Sequence, residues 1–451
     1  MFIKQLYTKC LAECAYYIES KGESVIIDPL RDIDVYLELA RERNTTIKYI
    51  FETHFHADFV SGHLDLARET GAEIVFGPTS TADFDFYQAK DREEFILGGL
   101  VIRALHTPGH SLESTCYLLL DDNHRPHAVF TGDTLFVGDV GRPDISANTE
   151  LNTSDLAGLL YDSLHKKIMS LPDSVIVFPG HGAGSLCGKN LSDETASTIG
   201  TQRRNNYALL QPDKESFVDA VLENLLPPPK YFYKNVRINR SRYEKLDLVL
   251  SKELNPLSVD QFNNEMQNGA FIIDTRSNKL FCEEYIPGTI NIGHDGFFAV
   301  WVGTLVEDLN TPIVLITDEG KEEETIIRLA RVGYENVRGY LLGGVEIWKQ
   351  KGGSVDSLPS VCAPKFKLRN DSYPVIDVRN SVEFDDSLMD NITNIPLAEI
   401  EQRVNELGKE TSYLLCKSGY LSTVAGSILQ KMGYSNFINV TGGVDALEEN
   451  S

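Results

Sequence analysis

Short apolar runs bounded by turn residues recur through the first part of the chain. Runs of this length that are rich in Val, Ile, Tyr and Phe predict β-strands. The predicted strands are residues 16–18, 25–27, 47–51, 74–76, 100–102, 115–120, 128–130 and 175–178. Residues 34–43 instead repeat apolar positions at helical spacing. Strands interleaved with helices predict an α/β domain that has polar clusters where its strands end.

Two later features divide the chain. Residues 226–243 contain a run of prolines, which cannot continue a helix, followed by an aromatic and basic stretch without clear periodicity, and they predict a connection. Beyond it several short motifs recur in the same order, which indicates an internal repeat. The matching pairs are 272–276 with 375–379, 313–316 with 413–415, 333–334 with 433–434, and 343–345 with 442–444. The sequence therefore predicts three domains, of which the last two are copies of one small α/β fold: residues 1–245, 246–357 and 358–451.

Composition and charge narrow the range of partners. The 451 residues carry a formal net charge of −24, whereas nucleic acids and anionic membranes bind surfaces with a positive footprint. No run approaches the roughly 18 apolar residues of a membrane span, and the N-terminus lacks the pattern of a secretion signal. The seven cysteines form no Cys-x-x-Cys pair, which favours reduced thiols over a disulfide framework. The expectation is a cytoplasmic protein without nucleic-acid or membrane partners.

Candidate metal ligands stand where predicted strands end. They begin with a His-x-His-x-Asp motif directly after strand 47–51, and each later member lies beside a glycine, which lets backbone approach a shared centre. The whole set is His54, His56, Asp58, His110, Asp133 and His181. A single histidine of this kind is an ordinary loop residue, but the ordered set predicts one metal centre.

This set resembles the metallo-β-lactamase superfamily. The resemblance covers about residues 1–230 and implies an αββα sandwich with the metal at one edge. Within the superfamily, residues 53–58 and 107–111 are most similar to the corresponding strings of persulfide dioxygenases, and glyoxalase II hydrolases are near relatives.

One departure from the superfamily pattern favours a single metal ion. Hydrolases of the superfamily carry another histidine directly after the motif aspartate, and this chain has Phe59 there, which cannot ligate a metal. The resemblance implies His54, His110 and Asp133 as ligands, a two-histidine, one-carboxylate set typical of non-haem Fe(II) oxygenases. One Fe(II) per chain is therefore expected, with open positions for a persulfide sulfur and dioxygen side by side. The other members of the set are expected to orient ligands or substrate: His56, Asp58 and His181.

Two residues near this set are candidate substrate contacts. Arg142 lies in a Gly-Arg segment where the dioxygenases place an arginine against the carboxylates or phosphates of the thiol carrier. A salt bridge within the protein is the alternative for Arg142. Residues 182–189 lack the Asp-Tyr pair of some dioxygenases and are similar to the corresponding string of bacterial dioxygenase–rhodanese fusions. Cys187 within them is a candidate persulfide carrier near the metal, or else a small buried apolar residue.

The last domain contains a second candidate centre at Cys416. An apolar run leads into this cysteine, a glycine-containing turn follows it, and a helical stretch covers residues 423–432. Backbone N–H groups and a helix N-terminus then point at the sulfur, which predicts a lowered thiol pKa and a stabilised persulfide. An inert cysteine at a strand end is the alternative. The loop resembles the active-site loop of rhodanese sulfurtransferases, both repeats resemble rhodanese domains, and the implied substrate contacts are Lys417, Ser418 and Gly419.

The two repeats differ at this loop. Leu421 stands where the rhodanese loop usually has arginine, so thiosulfate is expected to be a poorer substrate than a persulfide. In the first repeat, counting back from Gly343 places Thr317 at the position of Cys416, and counting back from Gly333 places Ile316 there. Neither residue is a suitable nucleophile. The acidic run 318–324 that follows would repel anions. The first repeat is expected to be inactive, with a packing, dimerisation or spacer role.

Both centres lead to one functional hypothesis. In the first reaction, iron-dependent oxidation of a low-molecular-weight thiol persulfide by dioxygen gives sulfite. In the second, Cys416 carries sulfane sulfur to or from sulfite, and thiosulfate is the compound that contains the transferred sulfur. Both reactions belong to sulfide detoxification. A glyoxalase II-like thioester hydrolase with a sulfur-carrier domain is the alternative enzyme. A sulfur-binding or sensing protein with a structural metal is the third hypothesis. The resemblance also implies a homodimer, whereas the sequence names neither the thiol carrier nor the direction of sulfur transfer.

Overall fold

The computed structural model describes residues 1–146, 151–369, 372–389 and 391–449. The chain divides into two compact units, Met1–Leu246 with Ala330–Gly333, and Asp247–Leu329 with Tyr334–Ser451. Within the described ranges, no helix has the length and apolar character needed to cross a membrane.

The first unit is built on two six-stranded sheets. The strands of the first sheet are β1 (Phe2–Thr8), β2 (Glu13–Ser20), β3 (Glu23–Ile27), β4 (Thr46–Phe51), β5 (Glu73–Phe76) and β6 (Tyr87–Gln88). Those of the second sheet are β7 (Glu94–Leu97), β8 (Leu100–His106), β9 (Thr115–Leu120), β10 (Pro126–Gly132), β11 (Ile176–Pro179) and β12 (Ser197–Thr198). Each sheet places its strands in chain order, β1 to β6 and β7 to β12. The predicted strands are confirmed, whereas β1, β6, β7 and β12 were not predicted.

Helices cover the outer faces of both sheets. They are α1 (Asp34–Glu42), α2 (His63–Thr70), α3 (Thr153–Ser163), which runs into a π-helical turn (Leu164–Ile168), α4 (Ile199–Asn205), α5 (Lys214–Leu222) and α6 (Lys230–Asn239). The prediction that residues 226–243 form a connection is wrong for α6. Its buried positions Tyr231, Asn235 and Asn239 recur every four residues, but two of them are polar, so the hydrophobic pattern did not reveal the helix.

Strand β2 shows how one apolar strand contributes side chains to two layers of the core. Tyr16 and Ile18 point into the core between the two sheets, because successive side chains of a strand face opposite sides. Ala15 and Tyr17 point the other way, into a second core beneath α1 and α2. A third core joins the outer face of the second sheet to α3 and α5. The predicted αββα layering is confirmed.

The second unit contains two five-stranded parallel sheets. The strands of the first are β13 (Pro256–Leu257), β14 (Phe271–Asp274), β15 (Ile290–Asn291), β16 (Ile313–Ile316) and β17 (Val337–Leu341). Those of the second are β18 (Ser360–Cys362), β19 (Val375–Asp377), β20 (Ile392–Asn394), β21 (Ser412–Leu415) and β22 (Phe437–Thr441). The strand orders β13-β17-β16-β14-β15 and β18-β22-β21-β19-β20 are the same topology twice. Two copies of one α/β fold are therefore present.

Helices and short 3-10 turns connect these strands. The helices are α7 (Leu246–Glu253), α8 (Val259–Gln267), α9 (Asn278–Glu283), α10 (Phe298–Leu305), α11 (Glu322–Ala330), α12 (Gly344–Gln350), α13 (Ala363–Lys367), α14 (Tyr420–Lys431) and α15 (Gly443–Glu449). The 3-10 turns are Asp386–Leu388, Leu397–Glu399 and Val404–Leu407.

Strand register decides which residue of the first repeat corresponds to Cys416. Asp274 pairs with Ile316 in the first repeat, and Asp377 pairs with Leu415 in the second. Ile316 therefore matches Leu415, and Thr317 occupies the position of Cys416. A hydroxyl group replaces the thiol there, which agrees with the expectation that the first repeat lacks the nucleophile.

Parallel pairing brings the candidate ligands of the first unit to one edge of the sandwich. Ile27 of β3 lies opposite Phe51 of β4, and Phe130 of β10 lies opposite Phe178 of β11. The carboxyl ends of paired parallel strands meet at the same edge. The loops after these four strands therefore leave each sheet together.

Candidate functional site

Three predicted ligands converge where these loops meet. The Nε2 atoms of His110 and His54 lie 3.5 and 3.9 Å from Oδ2 of Asp133, and the three ligand atoms lie within 4.8 Å of one another. All three side chains are buried. Among the described residues, neither oxygen of Asp133 has a hydrogen-bond partner. A buried carboxylate without donors is costly unless a cation replaces them, so this set fits a metal ion.

The other ring nitrogen of each histidine is held by the protein. Nδ1 of His110 donates to the carbonyl oxygen of Arg142 at 2.8 Å. Nδ1 of His54 lies 3.0 Å from Oγ1 of Thr53, which itself donates to Oδ2 of Asp28 at 2.9 Å. With Nδ1 protonated, each ring presents the lone pair of Nε2 toward Asp133. Such outer contacts fix the tautomer and orientation of metal-binding histidines.

A second set of ligand-type side chains lies on the other side of Asp133. Nε2 of His181 is 3.4 Å from Oδ2 of Asp58 and 3.5 Å from Oδ1 of Asp133. Cys187 completes this set, since the ligand atoms of Asp58, His181 and Cys187 lie within 4.8 Å of one another. Phe59 occupies the position where hydrolases of the superfamily have a histidine for a second metal, and the structure instead brings Cys187 to Asp58 and His181. Burial and the neighbouring carboxylates hold the pKa of Cys187 well above its usual range.

His56 faces a different pair of carboxylates. Its Nε2 lies 3.1 Å from Oδ1 of Asp28 and 3.2 Å from Oε2 of Glu52. Burial disfavours the charged ring, but these two carboxylates outweigh burial and raise the pKa of His56 well above its usual value. Phe59 stacks on the ring with centroids 4.2 Å apart and an interplanar angle of 26°. Nδ1 of His63 lies 3.2 Å from the other oxygen of Glu52.

Three residues that support this region were not predicted from the sequence. Asp28 and Glu52 directly follow the paired strands β3 and β4, so carboxylates one step beyond two parallel strands were the available signal. Asn239 of α6 donates from Nδ2 to the carbonyl oxygens of His56 and Phe59 at 2.8 and 2.7 Å. No pattern in the sequence connects Asn239 with the distant histidine motif.

The structure gives Arg142 a different set of partners from the anion predicted for it. The guanidinium is buried and pairs with Asp144, with Nε–Oδ1 and Nη2–Oδ2 distances of 2.7 and 2.8 Å. It also donates to the carbonyl oxygens of Leu186 and Leu226. Most of its donors are thus taken up inside the protein, which corresponds to the salt-bridge alternative.

The loop at Cys416 wraps the sulfur with backbone donors. Sγ accepts N–H groups from Gly419 at 3.1 Å and from Ser422 at 3.4 Å. Gly419 has a φ of +86°, and a Cβ there would lie 2.7 Å from the backbone nitrogen of Gly442. The loop conformation therefore requires glycine. The predicted contact residues Lys417 and Ser418 are exposed at its rim.

The ionisation of Cys416 differs from the expectation. The side chain is 1% exposed, and burial raises the pKa of the thiol above its ordinary value of 9.0, although the hydrogen bonds from Ser422, Gly419 and Ser418 act in the opposite direction. The predicted backbone N–H donors do surround the sulfur, but burial raises the thiol pKa by more than these donors lower it. The resting residue is therefore a neutral thiol at pH 7.

Comparison with known proteins identifies both parts of the chain. A model of the metallo-beta-lactamase superfamily matches residues 10–181, and a rhodanese-like domain model matches residues 258–351 and 364–450. A solved metallo-beta-lactamase from Staphylococcus aureus subsp. aureus COL is 30% identical, with a TM-score of 0.67 over 76% of this chain and 98% of that chain. The chain belongs to the metallo-beta-lactamase superfamily. Its superfamily domain is followed by rhodanese-like domains, as the sequence resemblance implied.

Two relatives of this chain are named for different reactions. The mitochondrial persulfide dioxygenase ETHE1 of Bos taurus is 29% identical over 211 residues, which are 46% of this chain and 74% of the relative. The probable hydroxyacylglutathione hydrolase glo2 of Schizosaccharomyces pombe is 32% identical over 161 residues, 35% of this chain and 58% of the relative. The chain thus spans less than two thirds of that hydrolase. These relatives support an enzyme with a metal-binding fold, and they do not choose between oxidation and hydrolysis.

Proposed function

We propose that this chain oxidises the outer sulfur of a low-molecular-weight thiol persulfide at one Fe(II) ion, and that Cys416 transfers sulfane sulfur in the same pathway. The observation that carries the proposal is the buried set of His54, His110 and Asp133, with both carboxylate oxygens lacking donors among the described residues. Two histidines and one carboxylate leave open positions on an iron ion. Zinc has no accessible redox change and would support hydrolysis instead.

Bound iron would supply the electrons that activate dioxygen next to the persulfide sulfur. In the overall reaction R–S–SH, O₂ and H₂O give R–SH, SO₃²⁻ and two protons, so the outer sulfur is oxidised and dioxygen is reduced. Thr53 and the carbonyl group of Arg142 orient the two histidines. Cys187 lies on the far side of Asp133 and is the candidate to hold incoming sulfane sulfur as a persulfide.

Cys416 is proposed to carry sulfur between the persulfide and sulfite. The Cys416 thiol first loses its proton to solvent. The thiolate attacks the outer sulfur of R–S–SH, the S–S bond breaks, and R–SH leaves with the proton of the persulfide. Sulfite then attacks the outer sulfur of the Cys416 persulfide, which releases thiosulfate and returns the Cys416 thiolate. The N–H groups of Gly419 and Ser422 stabilise the charge on that sulfur as it leaves. Leu421 in place of arginine supports a persulfide rather than thiosulfate as the sulfur donor.

The proposal assigns a role to each domain. Residues 1–245 contain the oxidation site, residues 246–357 form the inactive rhodanese-like repeat, and residues 358–451 form the sulfurtransferase repeat. A homodimer, with glutathione or coenzyme A as the thiol carrier, completes the hypothesis. Size measurements in solution and a comparison of the two persulfides test these parts separately.

Oxygen uptake tests the proposal directly. Iron is loaded anaerobically, glutathione persulfide or coenzyme A persulfide is added, and uptake is compared among wild type, Asp133→Ala and Cys416→Ser. Uptake should be lost in Asp133→Ala and kept in Cys416→Ser, with sulfite replacing thiosulfate as the product of the latter. Absence of uptake in wild type with both persulfides would overturn the oxidation proposal.

The second candidate function is thioester hydrolysis, which the set Asp58, His181 and Cys187 favours. Asp133 lies between this set and the histidine pair, so these residues together would hold the two metal ions of a hydrolytic centre. Metal analysis separates the candidates, because the oxygenase needs one iron per chain and the hydrolase needs two metal ions. Thioester substrates such as S-lactoylglutathione should be inert if the oxygenase proposal is right.

A further inference from the structure

One face of helix α14 is turned toward the cysteine-less repeat. Tyr420, Thr423, Ser427 and Lys431 follow one another at spacings of three or four residues, which places them on the same face of the helix. The hydroxyl of Tyr420 donates to the carbonyl oxygen of Gly293 at 3.0 Å. The Oγ of Ser427, two turns further along the helix, accepts a hydrogen bond from the N–H group of Asn291 at 3.1 Å. Both Tyr420 and Ser427 therefore have hydrogen-bond partners in the first repeat.

Two more members of this face also meet the first repeat. Oγ1 of Thr423 lies 3.7 Å from Sγ of Cys282, and Nζ of Lys431 lies 4.6 Å from the ring centroid of Phe271. A spacer between two domains would not need a continuous row of partners along one helix.

The contacts reach the cysteine loop itself. Nδ2 of Asn278 in α9 donates to the carbonyl oxygen of Gly419 at 3.2 Å. Gly419 is the residue whose N–H group donates to Sγ of Cys416. Tyr420, the next residue in the chain, begins α14, and the N–H group of Ser422 in its first turn is the other backbone donor to Sγ.

Small residues in the first repeat make room for the Tyr420 ring. A Cβ on Gly296 would lie 2.4 to 2.9 Å from three atoms of the ring, and a Cβ on Gly293 would lie 3.2 Å from it. Neither glycine has a backbone conformation that requires glycine. The reason for glycine at these two positions is therefore contact with Tyr420 rather than the local turn.

We propose that the cysteine-less repeat positions the sulfur-binding loop of the other repeat, with Asn278 and Tyr420 as positioning residues for Cys416. They touch neither substrate nor sulfur. They act through Gly419 and through the N-terminal turn of α14, whose N–H groups must face Sγ for the persulfide to be held and for the thiolate to leave. This inference rests on the proposed sulfur transfer at Cys416 and assigns that transfer to both repeats together.

Alanine at Gly296 tests the proposal, because it moves the Tyr420 ring without changing any residue of the sulfurtransferase repeat. Gly353→Ala is the matched control, since its Cβ would lie 2.3 Å from ring atoms of Trp348 within the first repeat. Transfer of sulfur from glutathione persulfide to sulfite is measured in the full-length protein. We expect kcat to fall about ten- to a hundredfold in Gly296→Ala with little change in KM, and to stay near wild type in Gly353→Ala.

Two further variants separate positioning from general destabilisation. Tyr420→Phe removes one hydrogen bond and should lower kcat about fivefold, whereas Tyr334→Phe removes a comparable hydroxyl that donates to the carbonyl oxygen of Val306 and should not. In a Tyr420→Ala background, Gly296→Ala should have no further effect on kcat. Equal kcat values for Gly296→Ala and Gly353→Ala would overturn the proposal.

Alkylation of Cys416 distinguishes failure of this inference from failure of the proposed function. The pH at which iodoacetamide modifies Cys416 at half its maximal rate is followed by peptide mass spectrometry and requires no sulfur transfer. Displaced N–H donors should move this midpoint to higher pH in Gly296→Ala but not in Gly353→Ala. If Cys416→Ser transfers sulfur at the wild-type rate, the proposal that Cys416 carries the sulfur is wrong. The alkylation midpoint still tests whether the first repeat positions the Cys416 loop. An unchanged midpoint in Gly296→Ala would reject the positioning role.

Discussion

Nδ1 of His110 donates to the carbonyl oxygen of Arg142 at 2.8 Å, and this contact turns Nε2 of the ring toward Asp133. Arg142 is held in turn by its ion pair with Asp144. Arg142, a candidate substrate contact from the sequence, therefore also contributes its backbone carbonyl group to orienting His110, which we propose as a metal ligand. Its side chain and its main chain have separate structural tasks.

Replacing Arg142 with methionine should lower stability and leave substrate affinity nearly unchanged. The substitution leaves the Asp144 carboxylate without its partner in a largely buried place, and breaking such a pair costs about 3 kcal/mol. Chemical denaturation measures the free energy of unfolding, and steady-state oxygen uptake measures KM for the persulfide. A large increase in KM with unchanged stability would instead support the anion-binding role that the sequence suggested.

Thr53→Val should weaken metal binding. Valine keeps the shape of threonine but removes the oxygen that accepts from His54 and donates to Asp28. Loss of such an outer contact typically lowers metal affinity about ten- to a hundredfold. Competition with a chelator gives the affinity, and Thr325→Val, which loses a buried hydroxyl in the first repeat, is the control. Equal affinities in the two variants would contradict the orienting role of Thr53.

Cys187→Ser should leave the iron content at one ion per chain. The proposed iron ligands are His54, His110 and Asp133, and Cys187 is not one of them. Elemental analysis after anaerobic loading and desalting provides the count. Two ions in wild type and one in Cys187→Ser would show that Asp58, His181 and Cys187 hold a second metal, and would favour the hydrolase.

Leu421→Arg should improve the use of thiosulfate. Leu421 is half-buried in the first turn of α14, next to the loop that holds Cys416. A guanidinium there would pair with the sulfonate oxygens of thiosulfate, and charge-assisted hydrogen bonds of this kind correspond to a gain in kcat/KM of about tenfold or more. Thiosulfate:cyanide sulfurtransferase assays measure the effect, with Leu421→Gln as the uncharged control. A similar gain in kcat/KM in both variants would show that the positive charge of arginine is not what the loop lacks for the use of thiosulfate.

Modification of Cys416 should require alkaline pH. Burial raises the thiol pKa above 9.0 in the folded protein, so the thiolate is scarce at pH 7 and becomes common only above about pH 9. The folded state also keeps this proton after the unfolded chain has lost it, so the free energy of unfolding should decrease as pH rises through that range. Alkylation that is already maximal at pH 7 would contradict this prediction. Cys416→Ser should lack the corresponding part of the pH-dependence of stability.

The fold followed closely from local patterns in the sequence. The continuous apolar run along β2 and the helical spacing in α1 are properties of neighbouring residues, and they survive in the structure. The repeat was also visible, because two copies of one strand order preserve the same short motifs. Helix α6 escaped because two of its buried positions hold the polar residues Asn235 and Asn239, where a hydrophobic pattern needs apolar side chains. The amide of Asn239 hydrogen-bonds to the carbonyl oxygens of His56 and Phe59.

The sequence by itself determined which residue types were available to the two centres: a histidine and aspartate set, and one cysteine in a glycine-containing loop. Only the tertiary structure decided their partners. Asp58 meets His181 and Cys187, the Arg142 side chain donates to the carbonyl oxygens of Leu186 and Leu226, and the first repeat meets Tyr420. Each of these contacts joins segments far apart in the chain. The resting thiol pKa at Cys416 depends on tertiary structure for the same reason, since the burial that outweighs local N–H donors comes from the whole domain.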